Sequence, residues 1–360
     1  MSPDSEGFSS AGWNDEDMRR TVQRNYGLGS DSSLPNHVRF LVGVARVIRN
    51  RVQRADAGLL AIPAVFFLQP SGPCGLETLE HEVVPMLDNG LTQVEGRLIF
   101  VGPVAARAIM IDVENWSDAE VFGPTVQHLG LAGVPAVLFE TRTDPVEARF
   151  YTKGLDEPDT FDLLRLSQSA ITMDEVFEIV DRVHLNSLVV PTVQSPDAKL
   201  WQHLAKKRVS KHAERRIQWP LRVGLSAAFP MCVIREEQSQ ATGRIDLEIE
   251  ESDPVDPSQV VRHALLELKV IRSFWESGEA VSDKQNANHI AEGVVQAAMY
   301  RDERNTRAAA LCCFDMRSDL GQDCFSHVRT KAKRTRVVLR RWHIFASAKE
   351  YREALDAGTV

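Results

Sequence analysis

Cysteine and long apolar runs are both scarce in this 360-residue chain. The five cysteines (Cys74, Cys232, Cys312, Cys313 and Cys324) are odd in number and scattered, which excludes a disulfide framework. No CxxC pair occurs, which argues against a thiolate zinc site. No apolar stretch approaches the ~20 residues of a membrane span. The opening segment, MSPDSEGFSSAGWNDEDMRR, is acidic and small where a secretory leader needs a basic end and an apolar core. The expectation is a reduced, cytoplasmic protein with no membrane partner. The first half also lacks a Gly-rich phosphate loop, a GxSxG elbow and an HExxH pair.

What is present suits a soluble globular protein, 43% hydrophobic and 26% charged, long enough for two domains. The net charge of −8 argues at first against a nucleic-acid partner, but it is an average of unlike parts. Residues 1–200 hold 16 Lys+Arg against 28 Asp+Glu, and residues 201–360 hold 26 against 22. Basic residues cluster in the second part, at Lys206, Lys207, Arg208, Lys211, Arg215 and Arg216, and again at Arg329, Lys331, Lys333, Arg334 and Arg336. Such clusters either track a polyanion or are solvated faces, and charge alone leaves both open.

Residues 1–35 read as a flexible arm. The 3–4-residue spacing of Val38, Leu41, Val42, Ala45, Ile48 and Val52 predicts a helix from about Asn36. Apolar runs at Ala64–Leu68, Leu98–Val101, Ala108–Val113 and Ala136–Phe139 predict strands, with helices expected over Leu76–Leu87 and Asp118–Leu129. This rhythm gives an α/β module with some parallel strands over 36–190. A helix over Met173–Val183 closes it, and Val190–Asp197 is the expected boundary to a second domain, 197–360. Asp112, Glu114 and Glu140 lie near strand ends, and the reading favoured for them is ordinary strand-end carboxylates. A docking role or a small-ligand sensor is left open for this module.

The second part predicts a long helix over Asp197–Phe229, bent at Pro220, then strands at Cys232–Glu236, Gly243–Glu251 and His263–Ile271. SDPVDPSQ between the last two suits a hairpin loop, so Asp246 and Glu267 should lie on adjacent antiparallel strands. Lys269, two residues beyond Glu267, should share its sheet face. Charged groups inside the apolar run HALLELKVI are costly without a partner or a metal.

Asp246 in GRID, the Glu267-Leu268-Lys269 element and Gln296-Ala297-Ala298-Met299-Tyr300 together resemble the PD-(D/E)XK nuclease superfamily, in its RecB-like branch with a QxxxY element. With strands expected at Ala308–Phe314 and Val337–Phe345, the resemblance spans roughly residues 200–350. No Pro precedes Asp246, and Cys312, Cys313 and Cys324 do not supply a four-ligand arrangement, so no iron–sulfur cluster is expected. The resemblance implies a restriction-endonuclease-like α/β domain, a central mixed sheet flanked by helices, that hydrolyses DNA with Mg²⁺ or Mn²⁺. Asp246 and Glu267 would hold the cation with the Leu268 carbonyl, and Lys269 would serve the attacking water. Glu214 stands where many members carry a further acidic ligand, and it could equally pair with Arg215 or Lys211. Gln296 and Tyr300 share a helical face that His289 joins, and are either site residues or ordinary helix-face residues.

The family's company suggests restriction, phage defence or DNA repair, and endonuclease over exonuclease action. Lys206, Lys207, Arg208, Arg329, Lys331, Lys333 and Arg334 are the expected nucleic-acid contacts, the second group alternating in part as a strand or flanking one. Two alternatives stand beside this reading: a catalytically silent binding or scaffold subunit, and a nuclease gated by a nucleotide through the first domain. A protein partner and a homo-oligomer are left open.

Overall fold

The computed structural model describes residues 33–358 apart from 55–57, 70–78, 87–89, 104, 106, 116, 121–122, 124–125, 165, 167–169, 241–242, 253–258 and 320–322. The expected N-terminal arm, Cys74 and most of SDPVDPSQ lie outside the described residues. The protein is α/β and divides into two compact units, one up to Leu166 and one from Ser167 on, Gln259 going with the first.

The first unit begins with α1 (Asn36–Arg54), whose Val38, Leu41, Val44, Ala45 and Ile48 are buried as the spacing requires. Its seven-stranded sheet runs β2-β4-β3-β1-β5-β6-β7, with β1 (Ala64–Leu68), β2 (Glu82–Pro85), β3 (Arg97–Val101), β4 (Arg107–Asp112), β5 (Ala136–Glu140), β6 (Glu147–Tyr151) and β7 (Asp162–Leu163). Among the described residues β1 and β3 are the parallel pair of this sheet and its other pairings are antiparallel. The helix expected over 76–87 gives way, in its described part, to β2 paired with β4. β-Branched Val83 and Val84 favour extended backbone, and Pro85 forbids the helical conformation at Val84. Of the helix expected over 118–129, Asp118–Glu120 and Val126–His128 are helical and Gly123 is π-helical, the remaining residues between them lying outside the described set.

The second unit starts earlier than the expected boundary at 190–197. Its first helix, α2 (Met173–Ser187), is capped by Thr172 and Glu175 and buries Val176, Phe177 and Val180 in one core with Leu221, Leu225 and Trp342. The long helix expected over 197–229 is also corrected. Buried Trp201 and Val209 pair in a small hairpin, β8 (Trp201–His203) and β9 (Arg208–Val209), with Lys207 in the left-handed region at φ 48. Helix α3 (Ala213–Ala228) then runs through Pro220.

Five strands follow in sequential order: β10 (Val233–Gln240), β11 (Gly243–Ser252), β12 (Val260–Arg272), β13 (Ala308–Met316) and β14 (Val337–His343). β10–β11–β12 are antiparallel and β12–β13–β14 parallel. The crossover between β12 and β13 is α4 (Asp283–Arg304), opened by a Ser282–Gln285 capping box and closed by Asn305 in the left-handed conformation. One sheet face carries α2 and α3 over Leu266, Leu268 and Val270, and the other carries α4 over Leu265, Leu311 and Cys313. Burial of each large side chain in these layers contributes about 1.5–3 kcal/mol before the entropic cost of ordering it. The basic stretch after Val328 forms α5 (Arg329–Arg334), so it flanks strand β14 rather than forming one, and Ala332 is its buried residue. A last helix, α6 (Ala348–Asp356), ends the described chain.

Candidate active site

The ladder between β11 and β12 ends at Leu247 opposite Leu266, although both strands continue. Beyond that point side chains take over the unpaired strand edge. Asp246 Oδ2 accepts from the Leu268 N–H at 2.8 Å, and Glu214 Oε1, from the first turn of α3, accepts from the Val270 N–H at 3.1 Å. Gln218, one turn after Glu214, donates its Nε2 to the Asp246 carbonyl at 2.7 Å. Backbone groups freed by the parting strands must find partners, and here they draw two carboxylates to the middle of a buried strand.

On the face toward α4, Lys269 Nζ donates to Glu267 Oε1 at 2.7 Å. Period-two alternation places both side chains together, as expected from the sequence. Gly293 of α4 lies directly above: a Cβ there would stand 3.0 Å from Lys269 Cγ and 2.7 Å from Leu311 Cδ1. Glycine therefore sets how closely α4 presses on Lys269. His289, one turn earlier, meets Glu214 Oε1 through Nε2 at 2.9 Å. This bond joins the helix layers of the two sheet faces across the open edge of β12.

Tyr300 is 1% exposed and lies within electrostatic reach of Glu267, Lys269 and Asp246. Burial and the Glu267 charge raise its phenol above the usual range, against a hydrogen bond from the Arg244 backbone. Gln296 shares the α4 face of Gly293 and Tyr300, and its Oε1 is buried without a partner.

The electrostatics are those of a strained acidic cluster. Burial pushes Asp246 up to about 6, and burial with the Asp246 charge pushes Glu267 up to about 8. Burial also acts upward on Glu214, but the His289 hydrogen bond and charge outweigh it and hold the carboxyl below its ordinary range. Burial pulls the Lys269 ammonium down, yet Glu267 and the other carboxylates hold it above its ordinary value, so it stays protonated. Glu267 Oε2 is buried with no hydrogen-bond partner.

These residues fit a hard divalent cation, which takes oxygen donors and needs only one or two carboxylates. The orphaned Glu267 Oε2 and the raised carboxyls of Asp246 and Glu267 both ask for positive charge at that point. Glu214 spends one oxygen on Val270 and His289, which suits a supporting rather than a primary ligand.

Among the described residues, three donors that all lie within 4.8 Å occur elsewhere, at buried Cys232, Glu251 and His263. The sequence reading missed this group because it draws on the bend before β10 and on β11 and β12, with no local motif. Its hydrogen bonding disfavours a metal. The Ile171 N–H donates to His263 Nδ1 at 3.4 Å, which leaves the ring proton on Nε2, facing Glu251 Oε2 at 3.4 Å. A cation there would need that nitrogen bare.

The expected nucleic-acid contacts are not gathered at this site. Lys207 pairs with Glu350 at 3.3 Å, the Arg208 guanidinium packs against Gly278, and Arg329 pairs with Asp323 at 2.9 Å. Lys206 closes a short turn after β8, while Lys331, Lys333 and Arg334 ride on α5. Nearer the acidic cluster, exposed Lys211 and Arg215 flank Glu214 on the chain, and Arg272 lies 4.8 Å over the ring of exposed Trp275. Gln218, Gly293 and Arg272 were not singled out from sequence, although the four-residue step from Glu214 to Gln218 was readable. No protein-family model, curated protein or solved structure matches this chain.

Proposed function

We propose that the second unit is a metal-dependent nuclease of the PD-(D/E)XK kind, hydrolysing DNA phosphodiester bonds in a cytoplasmic setting. The observation that carries the reading is the buried, charge-frustrated set Asp246–Glu267–Lys269 where β11 and β12 part. Asp246 and Glu267, with the Leu268 carbonyl, would hold Mg²⁺ or Mn²⁺, and Glu214 would support the same ion or a second one. When bound, the cation supplies charge for the phosphoryl oxygens and acidifies a water.

Lys269, fixed by Glu267 beneath Gly293, orients the attacking water and stabilises charge gathering on the scissile phosphate. His289 holds the Glu214 carboxylate in one orientation. Tyr300 keeps an un-ionised hydroxyl beside Glu267. Trp275 and its arginine offer a stacking surface for a base, and Lys211 and Arg215 offer charge for a strand's phosphates. Restriction, phage defence or DNA repair is the proposed setting, and the first unit is proposed to recruit or regulate.

A silent binding subunit is the second reading, favoured by the oxygens that Asp246 and Glu214 already spend on backbone N–H groups. Cleavage assays separate the two. The purified protein should degrade linear, circular or single-stranded DNA with Mg²⁺ or Mn²⁺ and stop in EDTA. Asp246→Ala should fold and be inactive. Binding to DNA without cleavage under every cation condition would leave the silent subunit.

A further inference from the structure

At the other end of the second unit's sheet, α4 ends where β12, β13 and β14 begin, around a cavity of about 530 Å³. Four arginines line it, Arg262, Arg301, Arg307 and Arg336, against one carboxylate, Asp302. That carboxylate is already engaged by Arg301 Nη2 at 2.6 Å, and Arg301 Nη1 is spent on the Thr335 and Arg336 carbonyls. Arg262 leans on Glu248 at 3.5 Å. Arg307 and Arg336 are exposed, and their guanidinium groups have no partner among the described residues.

Arg336 also holds the left-handed backbone conformation at φ 52, which costs a side-chain-bearing residue energy and turns the chain into β14 here. Like charges gathered round one concavity repel unless an anion is shared between them. The cavity is of the size that encloses a small ligand. Arg262 precedes Glu267 by five residues on one strand, roughly 17 Å at about 3.3 Å per residue. The cavity is therefore separate from the acidic cluster.

We propose that this arginine-lined cavity binds a phosphate-bearing anion, through the forked donors of Arg307 and Arg336. The phosphates belong either to a free nucleotide or to a nucleic-acid backbone. The proposal does not depend on the nuclease reading. Binding of pyrophosphate, ATP and a short single-stranded oligonucleotide to the full chain, without divalent cation and at low salt, tests it. Arg307→Gln and Arg336→Gln should each weaken binding about tenfold or more, as expected for losing a charge-assisted contact. Lys349→Gln on α6 removes the same charge elsewhere and should leave binding unchanged. Lys269→Ala should also leave pyrophosphate binding intact, which separates this cavity from the acidic cluster.

A loss seen with pyrophosphate and ATP identifies a free ligand, and a loss confined to the oligonucleotide identifies a backbone. Because both arginines are exposed, the variants should unfold at the same temperature as wild type or higher, with repulsion relieved. Saturable binding by none of the three probes would overturn the proposal. So would arginine variants that bind as tightly as wild type.

Discussion

Glu140 at the end of β5 and Glu267 in β12 are both buried carboxylates, and their surroundings treat them in opposite ways. Arg142 engages both Glu140 oxygens at 2.7 Å, and that hydrogen bonding holds the carboxyl below its ordinary range. Asp112, another strand-end acid of the first unit, turns back to accept the Glu114 N–H. In the second unit Glu267 has one lysine contact, an orphaned oxygen and Asp246 as an electrostatic neighbour. The first arrangement is a closed ion pair that stabilises a turn. The second sets two carboxylates against one lysine inside a sheet, which is disfavoured unless another positive charge arrives. Burial is common to the two carboxylates; the degree of compensation is what sets them apart.

The largest expected effect tests the chemistry of the second arrangement. Lys269→Ala should lower DNA cleavage by about a thousandfold, within the range general acid–base groups contribute, while circular dichroism shows a folded protein. Gly293→Ala should lower it about ten- to a hundredfold by displacing Lys269, since small misplacements cost that much. A Gly293→Ala protein with unchanged kcat would show that the close approach of α4 does not position the lysine.

Stability measurements sharpen the contrast more directly. Asp246→Asn keeps an acceptor for the Leu268 N–H and removes the repelling charge, so chemical denaturation should show about 1–2 kcal/mol of added stability. Glu140→Gln should lose about 1–2 kcal/mol, because Arg142 keeps only Asp118 as a charged partner. Equal signs in the two variants would erase the contrast between the two carboxylate sites.

A smaller effect comes from a buried base. Burial lowers His343 to about 4, against the ordinary 6.5 that it regains on unfolding. Between those values the unfolded chain binds the extra proton, so stability falls as pH drops from about 6.5 towards about 4. His343→Gln should flatten that part of the stability profile, measured by denaturation at successive pH values.

Much of this was legible in the chain because strand periodicity is strict. Glu267 and Lys269 fall on one face by alternation, and β11, β12, β13 and β14 stand where apolar runs placed them. The α/β class followed from the same runs. The errors arose where helical spacing competed with backbone chemistry. Pro85 disfavours helical backbone at Val84 within the helix expected over 76–87, and Lys207 turned the chain before α3. The domain boundary was misplaced because α2 has a helix pattern that does not say which sheet it covers. The end of the β11–β12 ladder, which gives Asp246 and Glu214 their backbone partners, left no trace in residue spacing. Gly293 carries no mark in the sequence, because its role depends on Lys269 and Leu311 lying beneath it.

Binding of Mn²⁺ to the purified full chain, followed by its electron paramagnetic resonance signal, tests the central claim most directly. The account predicts that wild type takes up the ion, that Asp246→Asn loses that uptake, and that Glu140→Gln keeps it. A wild-type protein that binds no Mn²⁺, or an Asp246→Asn protein that binds it as well as wild type, would contradict the account.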